Sequence, residues 1–359
     1  MFSKIKNLFL LIFAYFYSFF GGKSNQIISN PDKILILRTK PHIGDVVYIT
    51  PMFGAIKHKY PNSKLYLVGA GRVEEVIRNN PDIDEYLQYD GNFWTVIKRL
   101  KKEHIDFACL ANAGSAEGLA LLYFSGIKSI SAFTTINDKP IKSISYSLLS
   151  NNVIGKSFYN GQYVPPQYLK LLEPINANNG NVHFRLYFSE EADKNVNEIL
   201  NKNNIDIKKD FVVGIASGGA VPERWWPSER FAKLAEYLKR KHNAKIILLG
   251  AGRDEGPISE ILKYLSSDIK VINLLNQSLD EFKATISKLH LVIGNDSGPM
   301  VTADAFDVPN IVLVGPTDPR EYHRTPGPLN RVVASENKDI NSISIEDVTK
   351  EVESIMSNR

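Results

Sequence analysis

The chain has 359 residues, of which 43% are hydrophobic and 23% charged, and its formal net charge is +4. This composition is typical of globular proteins and excludes a fibrous or a disordered chain, while the length predicts two domains. The lysines and arginines form no stripe interleaved with aromatic residues, which argues against a nucleic-acid-binding protein.

The N-terminal segment, residues 1–30, contains an uncharged, aromatic-rich stretch over residues 7–22 between Lys6 and Lys23. Its apolar part of about 13 residues is shorter than the roughly 20 that a transmembrane helix needs. "SFFGGKS" lacks the small-residue cleavage site of a signal peptide. We interpret residues 5–22 as a membrane-associating helix that lies in the lipid interface. A signal-anchor span and a helix packed on the protein body are the alternatives.

The next apolar runs, at residues 34–37, 65–68 and 107–110, are continuous and alternate with helix-like stretches. Strands that are buried on both faces and alternate with helices predict a parallel sheet. We therefore expect a Rossmann-like domain over residues 31–185. The single cysteine, Cys109, lies in the third run and is predicted to be a core residue.

The first strand leads into "RTKPHIGDVVYITP", in which Leu37 ends the strand, residues 38–43 form a loop and Val46 continues a helix. Asp45 then lies near a helix N-terminus at the carboxyl edge of the sheet, where ligands bind. An aspartate there can cap the helix or act as a catalytic base. Lys40, Arg72 and Asn112 are further candidates for contacts with an acidic substrate.

The same pattern of runs returns at residues 212–215, 246–249, 291–293 and 311–314, after a stretch rich in Pro and Asn, and predicts a second Rossmann-like domain over residues 186–340. Ser228 is predicted to cap a long helix, and Ser278 with Glu281 forms a capping box. A last helix over residues 345–356 closes the chain within segment 341–359.

Small and charged residues follow several strands of this second domain. Glycine-rich loops and helix N-termini can approach phosphates closely, arginine can bind a diphosphate, and carboxylates can accept sugar hydroxyls. These loops predict a binding site for a nucleotide-linked substrate. The candidate residues are Ser217, Gly218, Gly219, Arg224, Asp254, Glu255, Gln277, Asp296, Ser297, Gly298, Pro299 and Met300.

No metal site and no cofactor are predicted. The only D-x-D sequence, Asp82-Ile83-Asp84, lies in a loop that begins with Pro81 and does not follow an apolar run. No His or Cys residues have the spacing of a zinc site.

With these residues in hand, the chain resembles glycosyltransferase family nine, the ADP-heptose:lipopolysaccharide heptosyltransferases, over roughly residues 33–335. The resemblance rests on "ILILRTKPHIGDVVYITPMFGAIKHKYPNSKLYLV", "YLKLL", "RWWPSERFAKLAEYL" and "NDSGPMVTADAFDVPNIVLVGPTDP". It implies a GT-B fold, with the active site in the cleft between two Rossmann-like domains. Residues 31–185 would bind the acceptor and residues 186–340 the nucleotide sugar.

The resemblance also implies inverting, metal-independent transfer of a sugar, usually heptose from ADP-heptose, to a lipopolysaccharide core or a related lipid-linked glycan. Asp45 would be the general base, with His42 and Gly44 beside the acceptor. The donor would lie on the loop residues of the second domain named above. Such an enzyme works at the cytoplasmic face of the bacterial inner membrane, where the N-terminal segment would hold it.

Two positions depart from the family pattern. The family usually has Lys where this chain has Arg224, and His near the donor phosphates where this chain has Val301. A guanidinium keeps the positive charge but changes the geometry. A catalytically silent or epimerase-like nucleotide-sugar-binding protein is therefore the alternative interpretation.

Overall fold

The computed structural model describes residues 2–39, 43–322 and 329–357. The chain divides into two compact units, Met1–Arg185 and Leu186–Arg359. Each unit is built on a largely parallel β-sheet whose strands are connected through helices, so the predicted α/β class with two doubly wound sheets is confirmed.

The first unit has a seven-stranded sheet in the order β3-β2-β1-β4-β5-β6, with β7 also paired to β5. All pairs are parallel except the short pair of β5 with β6. The strands are β1 (Lys33–Arg38), β2 (Lys64–Gly69), β3 (Glu85–Gln88), β4 (Phe107–Leu110), β5 (Ile130–Ile136), β6 (Lys139–Pro140) and β7 (Ile154–Phe158). The helices are α1 (Phe2–Phe20), α2 (Ile43–Val47), α3 (Thr50–Lys59), α4 (Val73–Ile77), α5 (Phe93–Glu103), α6 (Ala116–Phe124), α7 (Ile144–Ser150) and α8 (Val164–Leu169).

The second unit has a six-stranded parallel sheet in the order β10-β9-β8-β11-β12-β13. The strands are β8 (Val212–Ala216), β9 (Lys245–Gly250), β10 (Val271–Leu275), β11 (Leu291–Asn295), β12 (Asn310–Val314) and β13 (Asn330–Ala334). The helices are α9 (Glu190–Lys202), α10 (Ser228–His242), α11 (Glu255–Tyr264), α12 (Leu279–Ser287), α13 (Gly298–Ala305), α14 (Pro319–Tyr322) and α15 (Ile345–Met356).

The central strands are buried on both faces, which explains why their sequences are continuously apolar instead of alternating. Cys109 on β4 is buried in this core, as predicted, and burial raises the pKa of its thiol. Because strand order reverses between β1 and β4 and again between β8 and β11, each sheet has a switch point where α/β proteins bind ligands.

Two helix starts were predicted from capping residues, and one of them is wrong. Ser278 and Glu281 exchange the predicted bonds at the start of α12, with Glu281 N–H donating to Ser278 Oγ over 3.2 Å. In α10, however, Ser228 is the first helical residue, and its hydroxyl donates to the Pro257 carbonyl instead of capping the helix. The N-cap is Pro227, one residue earlier.

Helix α1 lies against α6 and α7 of the first unit. Leu10 and Ala14 are buried, and Phe13 and Tyr17 stack on Phe124 and Tyr123 with ring centroids 4.3 and 4.2 Å apart. The helix ends where Gly21 N–H donates to the Tyr17 carbonyl. Within the described ranges, no helix combines the length and the apolar character needed to cross a membrane.

Candidate functional site

In the first unit, Asp45 lies in the first turn of α2 at the carboxyl edge of the sheet. Strand β1 runs one residue further than predicted and ends at Arg38, which was expected in the loop. The arginine is 3% exposed. A buried guanidinium requires partners that compensate for lost hydration, and the carboxylate of Asp45 is one of them.

Arg38 holds three groups at once. Its Nη2 donates to Asp45 Oδ2 over 2.6 Å, and its Nη1 donates to the Ala111 carbonyl over 2.5 Å and to the Tyr168 hydroxyl over 2.8 Å. Burial raises the pKa of Tyr168, which keeps this hydroxyl neutral. Asp45 Oδ1 has no hydrogen-bond partner among the described residues, and the side chain of Asp45 is 33% exposed. One carboxylate oxygen is thus fixed, and the other is available to a ligand.

A cavity of about 170 Å³ opens beside this ion pair. It lies at the switch point of the sheet, since Asn112 follows β4 and Arg38 ends β1. The Oδ1 of Asn112 accepts the Thr39 N–H over 2.7 Å, while its buried Nδ2 has no partner among the described residues. The lining residues are Arg38, Asp45, Asn112, Ala113, Phe133, Ile136, Phe158, Asn160 and Tyr168. Aromatic rings with a few polar groups are typical of a small-molecule site.

The other candidates of the first domain are dispersed. Lys40 and His42 lie outside the described residues. Gly44 is part of α2, and a Cβ added there would meet no atom within 4 Å, so this face of the helix is open. Arg72 is exposed, is not part of the cavity lining and pairs with Glu75 over 2.8 Å.

The D-x-D sequence is engaged in structural ion pairs. Asp82 accepts from Arg185 Nε and Nη2 over 2.5 and 3.0 Å, and Asp84 accepts from Lys57 Nζ over 2.6 Å. Across the described ranges, no group of three or more His, Cys, Asp or Glu residues is arranged to hold a metal ion.

In the second unit, Asp254 fixes the glycine loop that follows β8. Its Oδ1 accepts the Gly219 N–H over 3.0 Å, and its Oδ2 accepts the Ala251 N–H over 2.8 Å. A Cβ on Gly218 would lie 2.1 Å from Asp254 Oδ1, so glycine is needed there for packing. Asp254 thus engages the Gly219 amide, and the contact of this loop with a phosphate stays a prediction. Glu255, by contrast, is exposed in the first turn of α11.

Asn295 joins the loops after β8 and β11. Its Nδ2 donates to the Ser217 carbonyl over 2.6 Å, and its Oδ1 accepts the Trp226 N–H over 3.0 Å. Asn295 is 1% exposed. It therefore sets the position of the segment that carries Arg224.

Asp296 brings residues from three loops together. Its Oδ2 accepts from Arg224 Nη1 over 3.2 Å and from Thr317 Oγ1 over 2.8 Å. The Asp296 side chain is 10% exposed and that of Arg224 is 34% exposed. The guanidinium is anchored through Nη1, and its other N–H groups have no partner among the described residues. Arg224 is thus oriented and still able to bind an anion.

The N-terminus of α13 offers fewer amides than predicted. Pro299 has no N–H, the Met300 N–H donates to the Ser297 carbonyl over 3.1 Å, and the Ser297 hydroxyl bonds the Asn295 carbonyl. A Cβ on Gly298 would meet no atom within 4 Å, so its backbone is accessible. Val301, the departure from the family pattern, is buried in this helix at 4% exposure.

Three polar atoms at this edge are buried without a partner among the described residues: Ser217 Oγ, Trp225 Nε1 and Gln277 Nε2. They follow β8, precede α10 and follow β10, respectively. Buried donors are normally satisfied, so these three groups are donors that a bound polar ligand or a water molecule can satisfy.

Sequence reasoning missed Arg38, Tyr168, Asn295 and Thr317. Arg38 directly follows an apolar run, and a charged residue at the end of a buried strand was the available signal. Asn295 directly precedes Asp296, which was selected, and Thr317 follows the apolar run at residues 311–314. Tyr168 comes from a helix far along the chain, so nothing in its sequence surroundings indicates its contact with Arg38.

The model of the family "Glycosyltransferase family 9 (heptosyltransferase)" matches residues 176–353. Lipooligosaccharide heptosyltransferase 2 of Haemophilus influenzae is 21% identical over 77% of this chain and 82% of its own length. The crystal structure of a family 9 glycosyltransferase from Veillonella parvula superimposes with a TM-score of 0.77 at 20% identity, over 93% of this chain and 100% of that one. The structure of ADP-heptose LPS heptosyltransferase II of E. coli superimposes with a TM-score of 0.72 at 19% identity, over 91% of this chain and 99% of that one.

Proposed function

We propose that this chain, which carries a glycosyltransferase family 9 (heptosyltransferase) domain over residues 176–353, transfers heptose from ADP-heptose to a lipopolysaccharide core or a related lipid-linked glycan. The transfer inverts the anomeric configuration and requires no metal ion. The observation that carries the proposal is the Asp45 carboxylate, which is fixed by Arg38 through Oδ2 and has Oδ1 available beside a cavity.

Asp45 acts as the general base. An acceptor hydroxyl donates its proton to Oδ1 while its oxygen attacks the anomeric carbon from the face opposite the leaving ADP. One bond forms as the other breaks, so the configuration inverts. General-base catalysis of this kind accelerates a reaction by roughly 10²–10⁴-fold. Because Arg38 is itself held by Ala111 and Tyr168, the carboxylate needs no reorientation during the reaction.

The second unit binds the nucleotide sugar. The accessible N–H groups of Arg224 and the half-buried backbone at Gly298 can stabilise the charge that develops on the diphosphate. Ser217, Trp225 and Gln277 supply buried donors for the remaining polar groups of the donor. Asp254 and Asp296 support this arrangement by holding the loops, and their additional contacts with ribose or sugar hydroxyls remain a prediction.

The acceptor sugar occupies the cavity of the first unit. The half-buried ring of Phe158 in its lining suits the apolar face of a sugar ring, and Asn112 Nδ2 is a donor for a hydroxyl. A lipid-linked acceptor places the enzyme at the cytoplasmic face of the inner membrane as a peripheral protein.

Asp45→Asn tests the proposal. The amide keeps the size of the side chain but cannot take a proton, so turnover with ADP-heptose and acceptor should fall about 10²–10⁴-fold. Affinity for ADP, measured by calorimetry, should stay within about twofold because the donor residues lie in the second unit.

Asp32→Asn is a matched control, since Asp32 is an exposed aspartate of the same unit that does not line the cavity. Its turnover should equal that of the wild type. Unchanged turnover in Asp45→Asn would refute the assignment of the base. A wild-type chain that binds ADP and transfers nothing would instead support a silent nucleotide-sugar-binding protein.

A further inference from the structure

Helix α1 has two different faces. Leu10, Phe13, Ala14 and Tyr17, spaced as one helical stripe, pack on the first unit. The opposite face is exposed and apolar, with Phe20 84% and Phe19 67% exposed. We call this set the outer face of α1: Leu8, Phe9, Leu11, Ile12, Tyr15, Phe16, Phe19 and Phe20. Single exposed apolar residues need no explanation, but a contiguous patch of this kind marks an interaction surface.

The apolar surface extends beyond α1. The ring of Trp94 on α5 lies 5.4 Å from that of Phe124, which stacks at 4.3 Å on Phe13 of α1. Trp94 is 59% exposed. On α7, which packs along α1, Ile144 is 74% exposed. Because three separate elements of the folded unit contribute, the surface is a feature of the fold and not of α1 alone.

Lysine residues lie next to two parts of this surface, the C-terminal end of α1 and Trp94 on α5. Helix α1 contains no acidic residue, and Lys23 follows its C-terminal end. On α5, Lys98 and Lys101 stand four and seven positions after Trp94, which places all three on one helix face. Both lysines are exposed and have no ion-pair partner among the described residues.

We propose that the outer face of α1, together with Trp94 and Ile144, docks flat on an anionic lipid bilayer. Phenylalanine, tryptophan and tyrosine side chains insert at the level of the head groups, and the lysines contact lipid phosphates. The folded unit thereby rests on the membrane without a spanning helix. This inference does not depend on the proposed transfer reaction. Docking on the membrane would, however, bring the enzyme close to a lipid-linked acceptor.

Vesicle flotation of the full chain tests the proposal. We expect binding to vesicles that contain phosphatidylglycerol and much weaker binding to pure phosphatidylcholine. The triple variant Phe16→Ser, Phe19→Ser, Phe20→Ser should lose at least about tenfold in affinity. Trp94→Ser, in a different element, should lose about threefold or more, and Lys98→Glu with Lys101→Glu should weaken binding only to the anionic vesicles.

Tyr264→Ser is the matched control, because Tyr264 is 55% exposed on the second unit, and it should bind vesicles like the wild type. Equal affinity of the triple variant and the wild type would overturn the proposal. The proposal would also be overturned if the wild type were a dimer in the absence of vesicles and the triple variant were a monomer, because the surface would then be a dimer interface. Turnover of a deacylated, water-soluble acceptor should be unchanged in the triple variant. A chain that binds vesicles through this surface but transfers no sugar would keep this inference and refute the proposed function.

Discussion

At the residue scale, the arrangement around Asp45 depends on one buried arginine. Arg38 contacts the carboxylate of Asp45, the Ala111 carbonyl and the Tyr168 hydroxyl, and these groups come from three places in the chain. A planar guanidinium can make these bonds simultaneously, whereas a lysine ammonium on a flexible stem cannot reach all of them. We therefore regard Arg38 as a positioning residue for the proposed base.

Arg38→Lys should lower kcat about 10- to 100-fold, because the carboxylate is no longer held in one orientation, while the donor KM and ADP affinity stay unchanged. Steady-state kinetics measures both. In a double-mutant cycle, adding Arg38→Lys to Asp45→Asn should cost nothing more, since the arginine acts through the aspartate.

Arg72→Lys provides the control, because Arg72 pairs with Glu75 at the surface, away from the cavity lining, and its kinetics should match the wild type. A further full loss in the Arg38→Lys, Asp45→Asn double variant would show that Arg38 acts independently of Asp45.

The sequence predicted which residue types lie at the carboxyl edges of the two sheets. It did not predict which partner each of these side chains bonds. Asp45, Arg224 and Asp296 were selected because acids and arginines near strand ends can bind substrates. Residue type gives the capacity to bond and not the partner, so the contacts of Asp254 with backbone amides could not be predicted. Arg38 was missed because a strand end is uncertain by a residue or two from sequence alone.

At the scale of elements, continuous apolar runs in the sequence predicted the buried strands but not the strands at the sheet edges. β1, β2, β4, β8, β9, β11 and β12 coincide with predicted runs. The strands β3, β10 and β13 lie at sheet edges and are only partly buried, so their sequences mix polar and apolar residues. β5 and β7 were also missed, since their sequences contain several Ser and Thr residues or a Lys. The last helix, α15, was predicted with its observed ends.

The attachment of α15 to α10 gives a pH-dependent prediction. Glu353 on α15 accepts a hydrogen bond from the Tyr237 hydroxyl over 2.6 Å. Its carboxylate also contacts His242 Nε2 at 2.7 Å and Lys241 Nζ at 3.1 Å. These contacts, the Tyr237 hydrogen bond above all, lower the pKa of the Glu353 carboxyl from 4.5 to about 2. Glu353→Gln should reduce the free energy of unfolding at pH 7 by about 0.5–1 kcal/mol, a modest value because the side chain is 38% exposed.

The pKa of Glu353 is lower in the folded state than in the unfolded state. Its contribution to the free energy of unfolding is therefore complete above about pH 4.5 and is lost as the pH falls toward 2. Urea unfolding of variant and wild type should therefore differ at pH 7 and converge below pH 4.5. Glu260→Gln on α11, whose carboxylate is exposed without an ion-pair partner among the described residues, should match the wild type at both pH values. A difference that persists near pH 2 would contradict this account.

At the scale of the molecule, each unit gathers polar residues at the carboxyl edge of its sheet. In the first unit, the Asp45 carboxylate is fixed by Arg38 and lies beside a cavity, and this arrangement suits an acceptor hydroxyl. In the second unit they are an oriented arginine, the half-buried Gly298 and three buried unsatisfied donors, which suit a nucleotide diphosphate. The proposed base and the residues proposed to stabilise the leaving group thus lie on separate units of the chain.

The anomeric configuration of the product distinguishes inverting from retaining transfer by this enzyme. The full chain would be incubated with ADP-heptose and a lipopolysaccharide-core acceptor in the presence of EDTA, and the new glycosidic linkage would be analysed by NMR. We expect a heptosylated acceptor whose linkage has the configuration opposite to that in the donor, formed at the same rate with and without EDTA. Retention of configuration, or a reaction that EDTA abolishes, would contradict this expectation.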